Sequence, residues 1–128
     1  MRRAATGLCL AAALASPVLA ADDPALYPAA QCAAFWFGWH DYAAQSAYLP
    51  AEPKDLMRAD AFRQVALHLT SQGEKAVDAF IADERQIMAV MVEAYIFGDD
   101  RQSRDVTERL MQDCADFAKT QPETMGLR

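Results

Sequence analysis

Cys32 and Cys114 are the only cysteines beyond residue 20, and each falls within an apolar stripe that repeats with helical period. In an oxidising compartment two cysteines admit one pairing. A bridge between them closes a loop of about 80 residues and stabilises the fold by roughly 4 kcal/mol in the chain-entropy picture. It ties the first helix to the last, so any fold for this chain must bring those two faces together. A structural staple is the reading these cysteines support. Neither has the CxxC neighbour that redox chemistry favours, and no further soft ligands for a metal surround them.

The compartment is read from the start of the chain. Arg2 and Arg3 precede an apolar stretch over 4–14, and Ser16, Pro17, Val18, Leu19 and Ala20 supply a break and a small-residue cleavage site. This composition predicts a secretory signal peptide over residues 1–20, cut after Ala20. Its apolar run is too short to cross a bilayer as a helix. Cys9, inside it, lacks the setting of a lipoprotein signal, so no lipid anchor is expected. The expected organisation is a signal peptide over 1–20, a helical domain over 21–119 and a flexible tail over 120–128 that holds Pro122 and Gly126. The expected location is the periplasm or the medium.

Charge narrows the partners. The whole chain has a formal net charge of −6, and without residues 1–20 it keeps ten basic against eighteen acidic residues. Such an acidic protein repels itself, nucleic acid and anionic membrane surfaces. With 128 residues it forms one domain, and stable membrane insertion is not expected.

Four segments read as helices. The first, over 28–48, gathers Cys32, Phe35, Trp36, Trp39, Tyr42 and Ala43 on one side, with Gly38 available for a close helix crossing. The second, over 55–70, carries a narrow stripe of Phe62, Val65, Ala66 and Leu69. The third, over 71–97, opens on Ser71 and Glu74 with capping-box spacing and stops at Gly98, a left-handed cap residue. Its stripe is Val77, Phe80, Ile81, Ile87, Met88, Met91 and Tyr95, and between Ile87 and Phe97 it holds one charge, Glu93. Such a segment is either the central helix of the domain or half covered by another chain. The fourth, over 104–119, turns Val106, Leu110, Cys114 and Phe117 inward. No strand alternation and no repeat appears. The fold class is therefore all-α: a small antiparallel bundle of about four helices stapled by one disulfide.

Candidate chemistry is sparse. Glu84 projects into the middle of the third stripe, where a carboxylate needs a partner, with Arg63, Arg109 or an indole as donor. His40 and His68 border apolar stripes, and with Glu84 they form a candidate metal or ligand set. Against it, no Glu-x-x-His pair of the di-metal bundles occurs. Met88 and Met91 are spaced as a Met-x-x-Met pair, which suits copper(I) but more often fills a core. Ser71 and Ser103 are accounted for as helix caps, no CxxCH attaches haem and no glycine-rich loop cradles phosphate. No catalytic residue and no cofactor is expected.

The surface carries more. Phe37 with Tyr48 on the far side of the first helix, and Val90 with Phe97 on the far side of the third, exceed what one small core needs. They are the candidate interaction surface, for a homodimer or for a protein partner of unknown identity. The function expected is that of an exported, non-enzymatic helical protein acting through protein–protein contact, as an inhibitor, assembly factor or stress-related chaperone. The alternative is a metal- or small-ligand-binding bundle using Glu84, His40 and His68.

Overall fold

The computed structural model describes residues 23–127. The expected signal peptide, residues 1–20, lies outside the described residues. Within them the chain is all-α. A wide turn at Ala25–Ala30 leads into α1 (Gln31–Gln45), followed by α2 (Pro53–Leu69), α3 (Glu74–Phe97) and α4 (Arg101–Ala118), with no strand among the described residues. This is the expected small antiparallel bundle. The Cys32–Cys114 disulfide staples α1 to α4, with Cα atoms 5.7 Å apart.

α1 is the axis of the bundle. Cys32, Ala33, Ala34, Phe35, Gly38 and Ala43 are all buried, as are Ala29 and Ala30 of the lead-in turn. Its run of apolar residues from Cys32 to Trp39 is buried or half-buried throughout, and the small residues in it let neighbouring backbones come close. Gly38 is the tightest point. A Cβ there would stand 2.7 Å from the Met88 Cβ and 2.8 Å from both the Ala89 nitrogen and the Arg85 carbonyl oxygen. α1 and α3 therefore cross with backbone against backbone, and they run in the same direction: Tyr27 meets Phe80, Gly38 meets Met88 and Tyr48 meets Phe97. α2 runs opposite to α3, since Arg63 in its second half holds Asp78 and Glu74 in the first turns of α3. Phe117 of α4 stacks on Phe62 of α2 beside the bridge.

The helix ends differ from the sequence reading, each for a local reason. The helix expected over 28–48 is shorter at both ends. Tyr27 takes extended dihedrals (φ −125°, ψ 111°), the region a residue before proline prefers, and breaks the lead-in ahead of α1. Ser46 is also extended, and its hydroxyl accepts hydrogen bonds from the Tyr48 and Leu49 nitrogens in a turn that stops the helix.

The expected capping box is not formed. α3 starts after Gly73, at φ 92°, with no side-chain cap; the Glu74 carboxylate is drawn to Arg63, and Thr70 rather than Ser71 accepts from the Gln72 nitrogen. Gly98 is not left-handed (φ −74°, ψ 136°); glycine is needed there because a Cβ would collide with the Ala94 carbonyl oxygen. α4 begins at Arg101 because Asp100 caps it, accepting from the nitrogens of Gln102 and Ser103 and from the Ser103 hydroxyl. Those bonds hold the Asp100 carboxyl below its ordinary pKa.

The inward faces are also rotated slightly from their expected directions. On α3 the fully covered residues are Val77, Ile81, Met88 and Val92, the side that meets Gly38, which leaves Ile87 exposed. On α4 Val106 points outward and Thr107 is buried, its hydroxyl satisfied by donation to the Ser103 carbonyl at 2.8 Å. The residues expected to trail off as a tail are placed against the bundle: Thr124 is buried, with its hydroxyl donating to the Ala118 carbonyl, and Leu127 packs on the core. No helix among the described residues is long and apolar enough to cross a membrane.

Candidate functional site

The three polar candidates lie on three helices and do not converge. His68 on α2 is exposed, with its Nδ1 3.7 Å from a carboxylate oxygen of Glu123. His40 on α1 is half-buried, and its Nδ1 is shielded without a hydrogen-bond partner among the described residues. Glu84 is half-buried rather than central to the core, because the core side of α3 is turned toward Val92 and Gly38. It makes no ion pair among the described residues. Arg63, one of its expected donors, is committed to Asp78 and Glu74. Among the described residues no group of three or more His, Cys, Asp or Glu is placed to hold a metal ion. Met88 is buried and Met91 packs against the core.

The apolar candidates do meet, and the turn at Ser46 is the reason. By ending α1 it swings Tyr48 onto the end of α3, where its ring stands edge-on to Phe97 at 5.1 Å between centroids. Tyr42, one turn before the end of α1, reaches the same ring at 6.4 Å. The result is a groove of about 450 Å³ between the C-terminal ends of α1 and α3, with Asp41, Tyr42, Tyr48, Val90, Glu93 and Phe97 around it. Tyr48 is 74% exposed, Val90 66% and Phe97 59%. Covering the open parts of the two aromatic rings would remove on the order of 200 Å² from water, worth about 5 kcal/mol before the costs of association.

Phe37 is not part of this groove. It lies under the Arg85 guanidinium, 4.9 Å from carbon to ring centroid, on a different surface that it shares with Asp78 and Arg63. The four residues expected to form the interaction surface thus divide three to one.

Two charges shape the groove. Asp41 pairs in bidentate fashion with Arg85, one bond being 2.6 Å, which latches α1 to α3 below the groove. The hydrogen bonds that Arg85 donates to the Asp41 carboxylate hold it protonated even more firmly than an ordinary arginine. Glu93 is exposed and makes no ion pair among the described residues. In the sequence Asp41 carries no signal, whereas Glu93 stands out as the only charge between Ile87 and Phe97. The hydroxyl of Tyr42 is buried in the groove wall without a hydrogen-bond partner among the described residues.

A second cavity, of about 290 Å³, lies beside the disulfide between Trp36, Phe62, Met111, Cys114 and Thr124. Its polar side chains are engaged within the fold: Arg58 lies over the Trp36 ring and pairs with Asp55, and Lys119 pairs with Asp116. A comparison of the chain with protein families, curated proteins and solved structures finds no match.

Proposed function

We propose that this protein acts by binding another protein through the groove at the joined ends of α1 and α3, without catalysis, as an inhibitor, assembly factor or chaperone of an oxidising compartment. The observation that carries the reading is that Tyr48, Val90 and Phe97, from two elements, share one water-exposed groove. Aromatic side chains are enriched at the centres of protein interfaces, where a few of them supply most of the affinity. The disulfide is compatible with an oxidising, extracytoplasmic location. The reading adds to it that residues 1–20 are a cleaved signal peptide and that the working chain starts at Ala21.

Two measurements test this. Sequencing the protein taken from its native cells should return Ala21 as its first residue; an intact Met1 would end the export reading. Chemical cross-linking in those cells, from photoreactive groups placed at Val90 and separately at the exposed Met57 of α2, should give a partner adduct from Val90 only. Equal adducts from both positions would count against the groove.

A further inference from the structure

We infer that the segment received by the groove is basic and amphipathic: an aromatic or branched apolar side chain seated against Tyr48, Val90 and Phe97, with lysine or arginine on either side of it. The inference rests on the reading of the groove as a protein-binding surface, and it names the occupant.

Charge complementarity selects the occupant. The groove is bordered by two carboxylates, those of Asp41 and Glu93, and by no lysine or arginine. Asp41 is neutralised by Arg85, whereas Glu93 stands exposed at the rim and makes no ion pair among the described residues. Directly beyond Phe97 the chain continues with Asp99 and Asp100, both exposed. Asp100 is held as an anion by the capping bonds it accepts. Between Arg85 and Arg101 the sequence carries Glu93, Asp99 and Asp100 and no basic residue. The apolar centre of the groove is therefore bordered by an excess of negative charge, which draws cations to its rim and disfavours anions.

The same field argues against a second copy as the occupant. A symmetric dimer through this surface brings like surfaces together, so Glu93, Asp99 and Asp100 of each copy would face a chain whose own formal charge is −6. A basic partner turns that repulsion into attraction. The groove is of the size that takes one or two side chains rather than a whole domain face. An amphipathic helix or short extended segment presenting a single anchor matches it better than a broad interface does.

The test uses the full disulfide-bonded chain and three synthetic peptides of about 15 residues. The first has one leucine- and phenylalanine-bearing face flanked by lysines, the second has the same face flanked by glutamates, and the third keeps the lysines with serine in place of the apolar face. Backbone amide shifts map each binding site, and titration gives each affinity. The first peptide should bind about tenfold or more tighter than the second, a difference of about 1.4 kcal/mol. It should perturb Tyr48, Val90, Glu93 and Phe97, and weaken as salt is raised. Glu93→Lys, an exposed change that leaves the fold in place, should narrow or reverse the preference.

Equal binding of the first two peptides at the groove would overturn the charge inference and leave the protein-binding reading standing. Binding of the third peptide as tight as that of the first would reduce the effect to diffuse charge attraction and overturn both. So would shifts located away from the groove, or no binding of any peptide. Self-association that occludes the groove and is lost in Phe97→Asp would replace the basic segment by a second copy.

Discussion

α1 and the last three turns of α3 are nearly equal in apolar content and opposite in fate. From Cys32 to Trp39 α1 carries only alanine, glycine, cysteine and aromatics, and every one of them is buried or half-buried. The end of α3, from Ile87 to Phe97, holds one charge, yet it is covered on one side only: Met88 and Val92 are buried while Ile87, Val90 and Phe97 face water. Residue size accounts for the difference. Small side chains at 33, 34, 38 and 43 allow several neighbours to close on α1 at once. The outward face of α3 bears bulky branched and aromatic side chains that no other element among the described residues covers. An apolar face that the fold leaves uncovered is the usual sign of a surface covered by something else.

The contrast would break if truncation cost the same on both helices. Phe35→Ala, at a fully buried ring that contacts both Trp36 and Trp39, should lower stability by about 3–5 kcal/mol. The urea midpoint of unfolding, with the disulfide intact, reads this directly. A loss under about 1 kcal/mol would mean that α1 is not the axis of the core.

Next in size is Gly38→Ala. Alanine gains about 1 kcal/mol over glycine in helix propensity, but its Cβ would meet α3 backbone at 2.8 Å, and backbone cannot rotate away as a side chain can. Overpacking of this kind costs about 1–3 kcal/mol and should outweigh the gain. A net loss with a shifted Tyr48–Phe97 contact, visible in the amide shifts of the groove, would tie the helix crossing to the geometry of the site. A net gain in stability would show that the two helices stand further apart than described.

These two positions also show what was legible in the sequence. The inward faces of Cys32 and Cys114 could be read from two separate periodicities, and the bridge follows from their agreement. Gly38 could be read as a close-crossing residue, although not against which helix. The outward position of Val90 and Phe97 was also legible, because the far side of α3 is as regular as its near side. What periodicity could not supply is any event that interrupts a helix. Running α1 through Tyr48 sets that ring beside Phe37; the hydroxyl of Ser46 ends the helix first, and Tyr48 lands on Phe97 instead. Glu74 was legible as a capping partner, but an arginine from α2 competes for its carboxylate and prevails. Asp55, buried in the first turn of α2, and Thr107 in α4 were invisible because each is a polar residue whose burial depends on a neighbour one turn away, Arg58 and the Ser103 carbonyl respectively.

Acid should sharpen the comparison through the first half of α3. Arg63 hydrogen-bonds Asp78 and so holds its carboxyl below the ordinary aspartate value, while the arginine itself is held more firmly protonated. The folded state thus binds this proton less readily than the unfolded state. The associated stability is present in full above the unfolded value, near pH 4, and is lost as pH falls below it through the folded value. Asp78 is nearly half exposed, so the contribution is about 0.5–1 kcal/mol at most. Urea midpoints at pH 6 and pH 3 should differ by less in Asp78→Asn than in the unaltered chain. An identical difference in the two proteins would place the acid sensitivity elsewhere.

The smallest expected effect is the most discriminating. Val90→Ser removes an apolar side chain that is two-thirds exposed and lies opposite the buried side of α3, where the fold gains little from it. Apart from a few tenths of a kcal/mol of helix propensity, stability should stay within about 0.5 kcal/mol of the unaltered chain. The same substitution deletes the middle of the groove, so binding of a lysine-flanked apolar peptide should weaken about tenfold, while its dependence on salt, set by Glu93 and the neighbouring aspartates, should be unchanged. A stability loss comparable with that of Phe35→Ala would show that Val90 belongs to the core and that the two helices do not differ after all. Unchanged stability together with unchanged binding would leave the exposed face of α3 apolar for a reason other than the groove.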